Sequence, residues 1–379
     1  MKFITTAIDY PNGKPHIGHA YEKILADVLT RYQRLKGEEA YFLTGVDQHG
    51  QKMMKTAEAE GVNVATLTKR NTKGFIKLWD KLDVRYDGWA ETTDDRHKAC
   101  VQAILTELEE KGSLYKKSYD GFYSVRQEQF LTDRDRNEAG EFGAEWGEVV
   151  EIEEENWYFK LSDHAQWLKS TVESDDLKII PEFRKNEVLN AIERAGETDL
   201  CISRPKERMS WGIPLPFDPE FVTYVWFDAL INYISFAGYK KPEGSDLPEF
   251  DGLWPADLQI IGKDILVPAH AIYWPCMLHA MGFESSDMPT LLVHGFWNKV
   301  TKHRIPRPIN YLIIPHCINE GTQVGQLHRA APDKESAEGD AQNEHRDHER
   351  LVGHGVWKKW QLGERMQWRD RLLKESSDG

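Results

Sequence analysis

Residues 6–20 read T-A-I-D-Y-P-N-G-K-P-H-I-G-H-A, and here a strand gives way to a helix. The apolar, β-branched run at 3–8 is typical of a strand, and the Pro-Asn-Gly at 11–13 is typical of a turn. The residues that follow repeat apolar side chains at helical spacing and predict a helix that begins near His19. These apolar positions are Tyr21, Ile24, Leu25, Val28, Leu29, Tyr32 and Leu35.

The first turn of this helix is a suitable place for a bound phosphate. Its backbone N–H groups have no partner within the helix, and the helix dipole favours negative charge there. Gly18 lets a base or phosphate approach the backbone closely, and His16 and His19 place two imidazoles beside it. We interpret the junction as a nucleotide site, in which Lys14 is either a further phosphate contact or an exposed loop lysine.

Composition limits the class of protein. The chain has 379 residues, of which 40% are apolar, so two or three domains can bury a core. No run of about 18 uncharged apolar residues or signal sequence is seen, and the net charge of -14 argues against indiscriminate phosphate binding. Four widely separated cysteines favour neither disulfides nor a metal knuckle. We therefore predict a cytoplasmic protein without membrane or DNA as partners.

Several motifs resemble one enzyme family. P-H-I-G-H at 15–19 resembles the first signature of class I aminoacyl-tRNA synthetases, which meets ATP, although alone it could be a chance tetrapeptide. Further motifs, in the same order, are similar to the methionyl-tRNA synthetase family from residue 1 to about Trp297. They are L-T-G-V-D-Q-H-G at 43–50, S-W-G-I-P at 210–214, Y-V-W-F-D-A at 224–229, I-G-K-D-I at 261–265 and V-H-G at 293–295.

The resemblance and the alternation of strands with helices predict an α/β, Rossmann-like nucleotide-binding fold split by an inserted connective domain. We expect the catalytic domain at 1–112 and 226–298, the insert at 113–225 and a tail outside the family at 299–379. No helical anticodon-binding bundle is recognisable in that tail. Other predicted elements are strands at 40–44 and 258–261 and helices at 52–60 and 269–281.

The insert is predicted to lack zinc. In the family it often carries cysteine knuckles that bind zinc, but residues 120–155 of this chain contain no cysteine. The acidic run at 151–155 has no interleaved histidine, so we interpret it as a solvated face. We therefore predict no metal ligands in the chain.

The resemblance also implies a pocket for methionine, whose soft thioether suits aromatic walls. Asp47 would bind the ammonium group, whereas the spacing of Trp226 and Tyr233 also fits ordinary core. Leu230 stands where the family often has proline, and His270 follows Ile265 by five residues rather than the usual four. The implied methionine-binding residues are Ala7, Ile8, Tyr10, Asp47, Trp226, Ala229, Tyr233, Ile265 and His270.

The implied activity is that of a methionine-tRNA ligase. L-Methionine would react with ATP and Mg²⁺ to give methionyl-adenylate, and the terminal adenosine of tRNA(Met) would then take the methionyl group. His16 and His19 would be the catalytic residues. The implied ATP-binding residues are Tyr10, Pro11, Asn12, Gly13, His16, Gly18, His19, Gly262, Lys263 and Asp264.

The tail raises doubt about activity. The family continues to a mobile lysine loop, K-M-S-K-S, whereas this chain reads K-V-T-K at 299–302, a loose and early echo of it. Either the tail is a divergent segment or the reading frame has shifted near codon 298; the abrupt loss of resemblance favours the shift. The alternatives to an active ligase are an inactive tRNA- or methionine-binding pseudoenzyme or gene fragment, and a nucleotidyltransferase with another acceptor.

Overall fold

The structure is a computed structural model that describes residues 1–124, 129–131, 133–137, 139–195 and 198–295. All of these belong to one unit of the chain. The K-V-T-K segment and the tail at 299–379 lie outside the described residues. Among the described helices, none has the length and apolar character needed to cross a membrane.

A parallel sheet of six strands forms the centre of the fold and confirms the predicted α/β class. Its strands, in spatial order, are β3 (Gly88–Glu91), β2 (Ala40–Val46), β1 (Lys2–Thr6), β12 (Leu258–Gly262), β13 (Leu291–His294) and β7 (Ile179–Ile180). Because β1 pairs with β2 on one side and β12 on the other, the chain order reverses at β1. Ligands of such sheets bind outside the carboxyl ends of the strands at this reversal.

Helices cover the sheet and carry the chain between its strands. They are α1 (Ile17–Leu35), α2 (Gln51–Ala59), α3 (Val64–Lys81), α4 (Asp95–Glu110), α5 (Ala165–Glu173), α6 (Phe183–Ala195), α7 (Val225–Ser235) and α8 (Trp274–Met281). The predicted strands at 3–8, 40–44 and 258–261 and the predicted helices at α1 and α2 are confirmed within a few residues. The helix expected at 269–281 is a kinked segment, Leu266–Tyr273, followed by α8.

Helix α1 buries a polar face. Its buried residues include Glu22, Lys23 and Asp27, whereas Ile24 and Val28, on the periodic apolar face, are 40% and 48% exposed. The apolar repeat therefore located the helix but did not identify the face that meets the sheet. Partners elsewhere in the chain stabilise the charged face.

Residues between β3 and α7 add two antiparallel sheets. One contains β5 (Gln129–Leu131), β4 (Leu114–Ser124), β6 (Val149–Phe159) and β8 (Leu200–Cys201), and the other contains β10 (Pro214–Leu215), β11 (Asp218–Thr223) and β9 (Ser203–Pro205). Strand β7 falls within the predicted insert, yet it pairs with β13 in the parallel sheet. The domain limits at 112, 225 and 298 stay predictions.

Candidate functional site

Two stacked imidazoles stand at the amino end of α1. The rings of His16 and His19 lie 3.7 Å apart with 17° between their planes. The backbone N–H of His16 donates to His19 Nδ1 at 3.2 Å, so a neutral His19 carries its proton on Nε2. Burial, together with the charge of Lys23, lowers the pKa of His19 to about 3, which keeps the ring neutral near pH 7. A Cβ at Gly18 would meet the His16 ring at 3.1 Å, which explains why glycine suits this position.

A buried charge network holds the first turns of α1 against the sheet. Lys23 Nζ lies 2.6 Å from Asp9 Oδ1 and 2.9 Å from Glu22 Oε1, and it donates to the carbonyl of Ala7. His294, at the end of β13, contacts the other Glu22 oxygen at 2.9 Å. Burial opposes the charged forms, but the two carboxylates outweigh it and raise the pKa of Lys23. The network therefore joins β1, α1 and β13 at the carboxyl edge of the sheet.

The segment after β12 closes tightly over the same edge. A Cβ on Gly262 would lie 2.5 Å from Asp264 Oδ1, so a larger residue would displace that carboxylate. The Lys263 N–H donates to the His294 carbonyl at 2.9 Å. Of the predicted nucleotide residues, Asn12, Gly13 and Asp264 are exposed, whereas Pro11 is buried and accepts a hydrogen bond from the Asn71 side chain.

His270 has a fixed orientation in a buried site. Its Nδ1 lies 2.8 Å from the Ile265 carbonyl, which requires an N–H there, and its Nε2 therefore accepts from the Tyr233 hydroxyl at 2.8 Å. Burial lowers the pKa of His270 to about 4, so the ring is neutral near pH 7. Val267 departs from helical dihedrals, so the segment that carries His270 is kinked.

The predicted methionine residues divide among three apolar clusters. Ala7 and Tyr233 belong to the largest one, the partly buried Trp226 and Ile265 pack against it, and Ala229 is buried. The ring of Trp226 also meets that of His270 edge to face at 6.2 Å. Two other predicted residues lie elsewhere: Ile8 packs beside Phe3 and Tyr10 beside Met53. The predicted residues that lie together form an apolar surface, and the Tyr233–His270 pair is its polar end.

Asp47 follows β2, next to the reversal of strand order. It is 7% exposed, its N–H donates to the Asp9 carbonyl at 2.8 Å, and the Thr92 hydroxyl lies 3.5 Å from its Oδ1. The carboxylate is therefore held at the carboxyl edge of the sheet, where a charged ligand group would meet it in a partly desolvated setting.

The sequence analysis missed a buried network behind Asp47. Asp228 is fully buried and lies 2.5 Å from His49 Nδ1 and 2.8 Å from His97 Nε2, while His97 Nδ1 contacts the Ser235 hydroxyl at 2.7 Å. Burial raises the pKa of Asp228, but the two histidines outweigh burial and lower it. Asp228 and His49 stand in family-like motifs, yet spacing along the chain gave no signal that they meet each other and His97. The network ties α4 and α7 to the loop that carries Asp47.

No group of three or more His, Cys, Asp or Glu side chains suited to a metal occurs among the residues that the structure describes. Cys100, Cys201 and Cys276 are each buried and free. The absence of zinc from the chain stays a prediction.

Comparison with known proteins adds the following. The model of the family "tRNA synthetases class I (M)" matches residues 2–140 and 144–327, beyond the residue 297 at which we placed the end of the resemblance. Methionine-tRNA ligases of Fusobacterium nucleatum and Rhizobium meliloti are 39% and 41% identical over 308 and 297 residues, which are 80% and 78% of this chain. These matches cover 47% and 56% of the relatives, so the chain spans about half their length.

Solved structures agree with the sequence comparison. Mycobacterium tuberculosis methionyl-tRNA synthetase in complex with methionyl-adenylate superposes with a TM-score of 0.69 at 37% identity, covering 78% of this chain and 57% of that one. The apo form of the same protein gives a TM-score of 0.64 at 36% identity, over 78% and 55% of the two chains.

Proposed function

The chain belongs to the class I tRNA synthetases (M), and from this premise we propose that it is a methionine-tRNA ligase of protein synthesis. Its substrates would be L-methionine, ATP with Mg²⁺ and tRNA(Met), and its location the cytoplasm. One observation carries the proposal: strands β1 and β12 are adjacent, the stacked His16 and His19 follow β1, and His270, in contact with Tyr233, follows β12. A nucleotide and an amino acid bound at these two places would meet.

The nucleotide half of the site suits a reacting phosphate. The proton on His19 Nε2 and the first backbone N–H groups of α1, at Ile17 and Gly18, are donors to developing negative charge. A neutral His19 supplies a hydrogen bond and avoids the cost of burying a second positive charge near Lys23. Mg²⁺ would enter with the nucleotide as part of the substrate and would bind chiefly phosphate and water oxygens.

The amino-acid half suits methionine. We assign the thioether to the apolar surface that Trp226 and Ile265 cover, together with the buried Ala229, and Asp47 would pair with the ammonium group. Because the Tyr233 hydroxyl donates to His270 Nε2, both rings are neutral, and the pair can orient the substrate without charge. The carboxylate of methionine would then attack the α-phosphate of ATP, which releases pyrophosphate and gives methionyl-adenylate. A ribose hydroxyl of the terminal tRNA adenosine would next displace AMP.

Methionine-dependent exchange of pyrophosphate into ATP tests this proposal. We expect the chain as it stands to bind methionine but to exchange slowly if its own lysines, Lys299 and Lys302, do not replace the family loop, because contacts made mainly in the transition state raise the rate. Grafting the family tail after Asn298 should restore exchange by about a hundredfold or more. If the ungrafted chain exchanges pyrophosphate as fast as the grafted one, then its own tail already acts as the lysine loop.

The K-V-T-K at 299–302, which only loosely resembles the lysine loop of the family, favours a second candidate, an inactive methionine-binding pseudoenzyme or gene fragment. Calorimetry separates the two. Saturable methionine binding with no exchange, even after the graft, would select the fragment, whereas a grafted protein that exchanges only when His16 is intact would select the ligase.

A further inference from the structure

A cavity lies beside Asp47. It has a volume of about 380 Å³, within the range of about 300–1,000 Å³ typical of ligand pockets. One wall is a single face of α3 that spans three turns, and the others come from the loop after β2, from β3 and from Trp211. Its lining residues are Gln48, Ala65, Thr68, Lys69, Thr72, Lys73, Ile76, Glu91, Thr93 and Trp211. We call it the α3–Trp211 cavity.

The floor of the cavity is polar and already hydrogen-bonded. The Gln48 amide nitrogen donates to the Thr72 hydroxyl at 2.9 Å and to Glu91 Oε2 at 3.2 Å, and its oxygen accepts from Thr93. The Trp211 indole N–H donates to the Gln48 carbonyl at 2.6 Å, which fixes the ring in the wall. A ligand would therefore meet a rigid aromatic surface rather than a gap in the core.

The rim carries positive charge in an acidic protein. Helix α3 has five basic side chains and one acidic one, although the whole chain has a net charge of -14. Lys69 and Lys73 are exposed, stand one helical turn apart, and form no ion pair with the described residues, whereas Arg70 is paired with Glu60. The carboxylate of Glu91 on the same wall accepts hydrogen bonds from Gln48 and Trp89, and the two lysines outnumber it.

From this combination we infer that the α3–Trp211 cavity binds the single-stranded 3′ end of an RNA, with phosphates on Lys69 and Lys73 and a base against Trp211. Basic side chains that track a backbone beside an aromatic stacking surface are how proteins hold single-stranded nucleic acid. Gln48 adjoins Asp47, so a strand held there would lead towards the proposed site of methionyl transfer. The identification of the ligand as an acceptor RNA rests on the proposed function.

Fluorescence anisotropy of the full chain tests the inference, with a fluorescein-labelled RNA hairpin that ends in four unpaired 3′ nucleotides and the same hairpin with a blunt end. We expect the overhang to bind at least about fivefold more tightly, as stacking of one base implies. The double variant Lys69→Ala/Lys73→Ala should bind about tenfold more weakly and flatten the logarithmic salt dependence by about 1.4, since each lost phosphate contact counts about 0.7. Lys77→Ala, one turn further along α3 and outside the cavity lining, is the matched control and should change affinity less than about twofold.

Substitutions of Trp211 test the stacking of a base independently of the lysines. Trp211→Leu should lower affinity for the overhang by about fivefold or more, and Trp211→Phe, which keeps an aromatic ring, should retain most of it. Circular dichroism and methionine calorimetry on each variant report the fold and the amino-acid site separately. Equal affinity of the Lys69/Lys73 and Lys77 variants, equal binding of the two hairpins, or no RNA binding by the parent chain would overturn the inference. If the parent chain does not bind methionine but the RNA affinities change as expected, the proposed function alone is contradicted.

Discussion

Two groups of histidines differ in what their hydrogen bonds do. His16 and His19 stack at the amino end of α1, where His16 is exposed and His19 keeps an N–H for a ligand. His49 and His97 are buried on either side of Asp228, and the network ends on a serine. The first pair is placed to act on a substrate, and the second holds the loop after β2 in position. Histidines in family-like motifs therefore serve both reactivity and structure, and burial separates the two roles.

The largest expected effect breaks the buried group. Asp228→Ala removes the shared acceptor of two buried imidazoles, and breaking such an interior pair typically costs about 3–5 kcal/mol of the free energy of unfolding. Urea unfolding at pH 7 measures it. Asp251→Ala, an exposed carboxylate, is the control and should change the free energy by less than about 0.5 kcal/mol. Equal losses in the two variants would mean that the network adds no stability.

A second prediction uses pH to test burial at His270. Its pKa is lowered from the ordinary 6.5 to about 4, so between these values the unfolded chain binds a proton that the folded chain does not. The free energy of unfolding of the parent should therefore fall, relative to His270→Gln, as the pH drops from 7 to 4, by about 3 kcal/mol at most. Urea unfolding at several pH values gives the difference, and a difference that stays constant with pH would contradict the buried neutral ring.

The smallest expected effect on stability is at the exposed pair. His16→Ala should change the free energy of unfolding by no more than about 1 kcal/mol, because the side chain is exposed and loses only its capping contact with the backbone N–H of His19. In the tail-grafted protein it should nevertheless remove most pyrophosphate exchange. A large loss of stability would give His16 a structural role like that of His49. Exchange that is unchanged by the substitution would contradict a catalytic role for His16.

Features of the fold that depend on local sequence could be predicted, whereas features that depend on contacts between distant residues could not. Strands β1, β2 and β12 and helix α1 follow from local patterns, but the buried face of α1 depends on Lys23 meeting Asp9, and on Glu22 meeting His294, 272 residues away. Helix α3 was not predicted. Its residues 64–81 contain three threonines and a glycine, which weaken helix propensity, so its packing beside Tyr10 and Trp211 decides the outcome.

The site shows the same division. The resemblance supplied His16, His19, Asp47, Tyr233 and His270, and the structure brings Tyr233 and His270 into contact. The sequence motifs could not predict the network around Asp228, because Asp228 lies 179 positions from His49 and 131 from His97. Contacts over such separations depend on topology, which a single sequence does not reveal.

Calorimetric titration of L-methionine into the chain and into Asp47→Ala tests the central claim most directly. The claim is that the carboxyl edge of the sheet beside β1 holds the amino acid through Asp47. We predict saturable binding by the parent chain and binding about tenfold to a hundredfold weaker in the variant, as expected for loss of a partly desolvated, charge-assisted hydrogen bond. Equal affinity in the two proteins, or no binding by the parent, would contradict it.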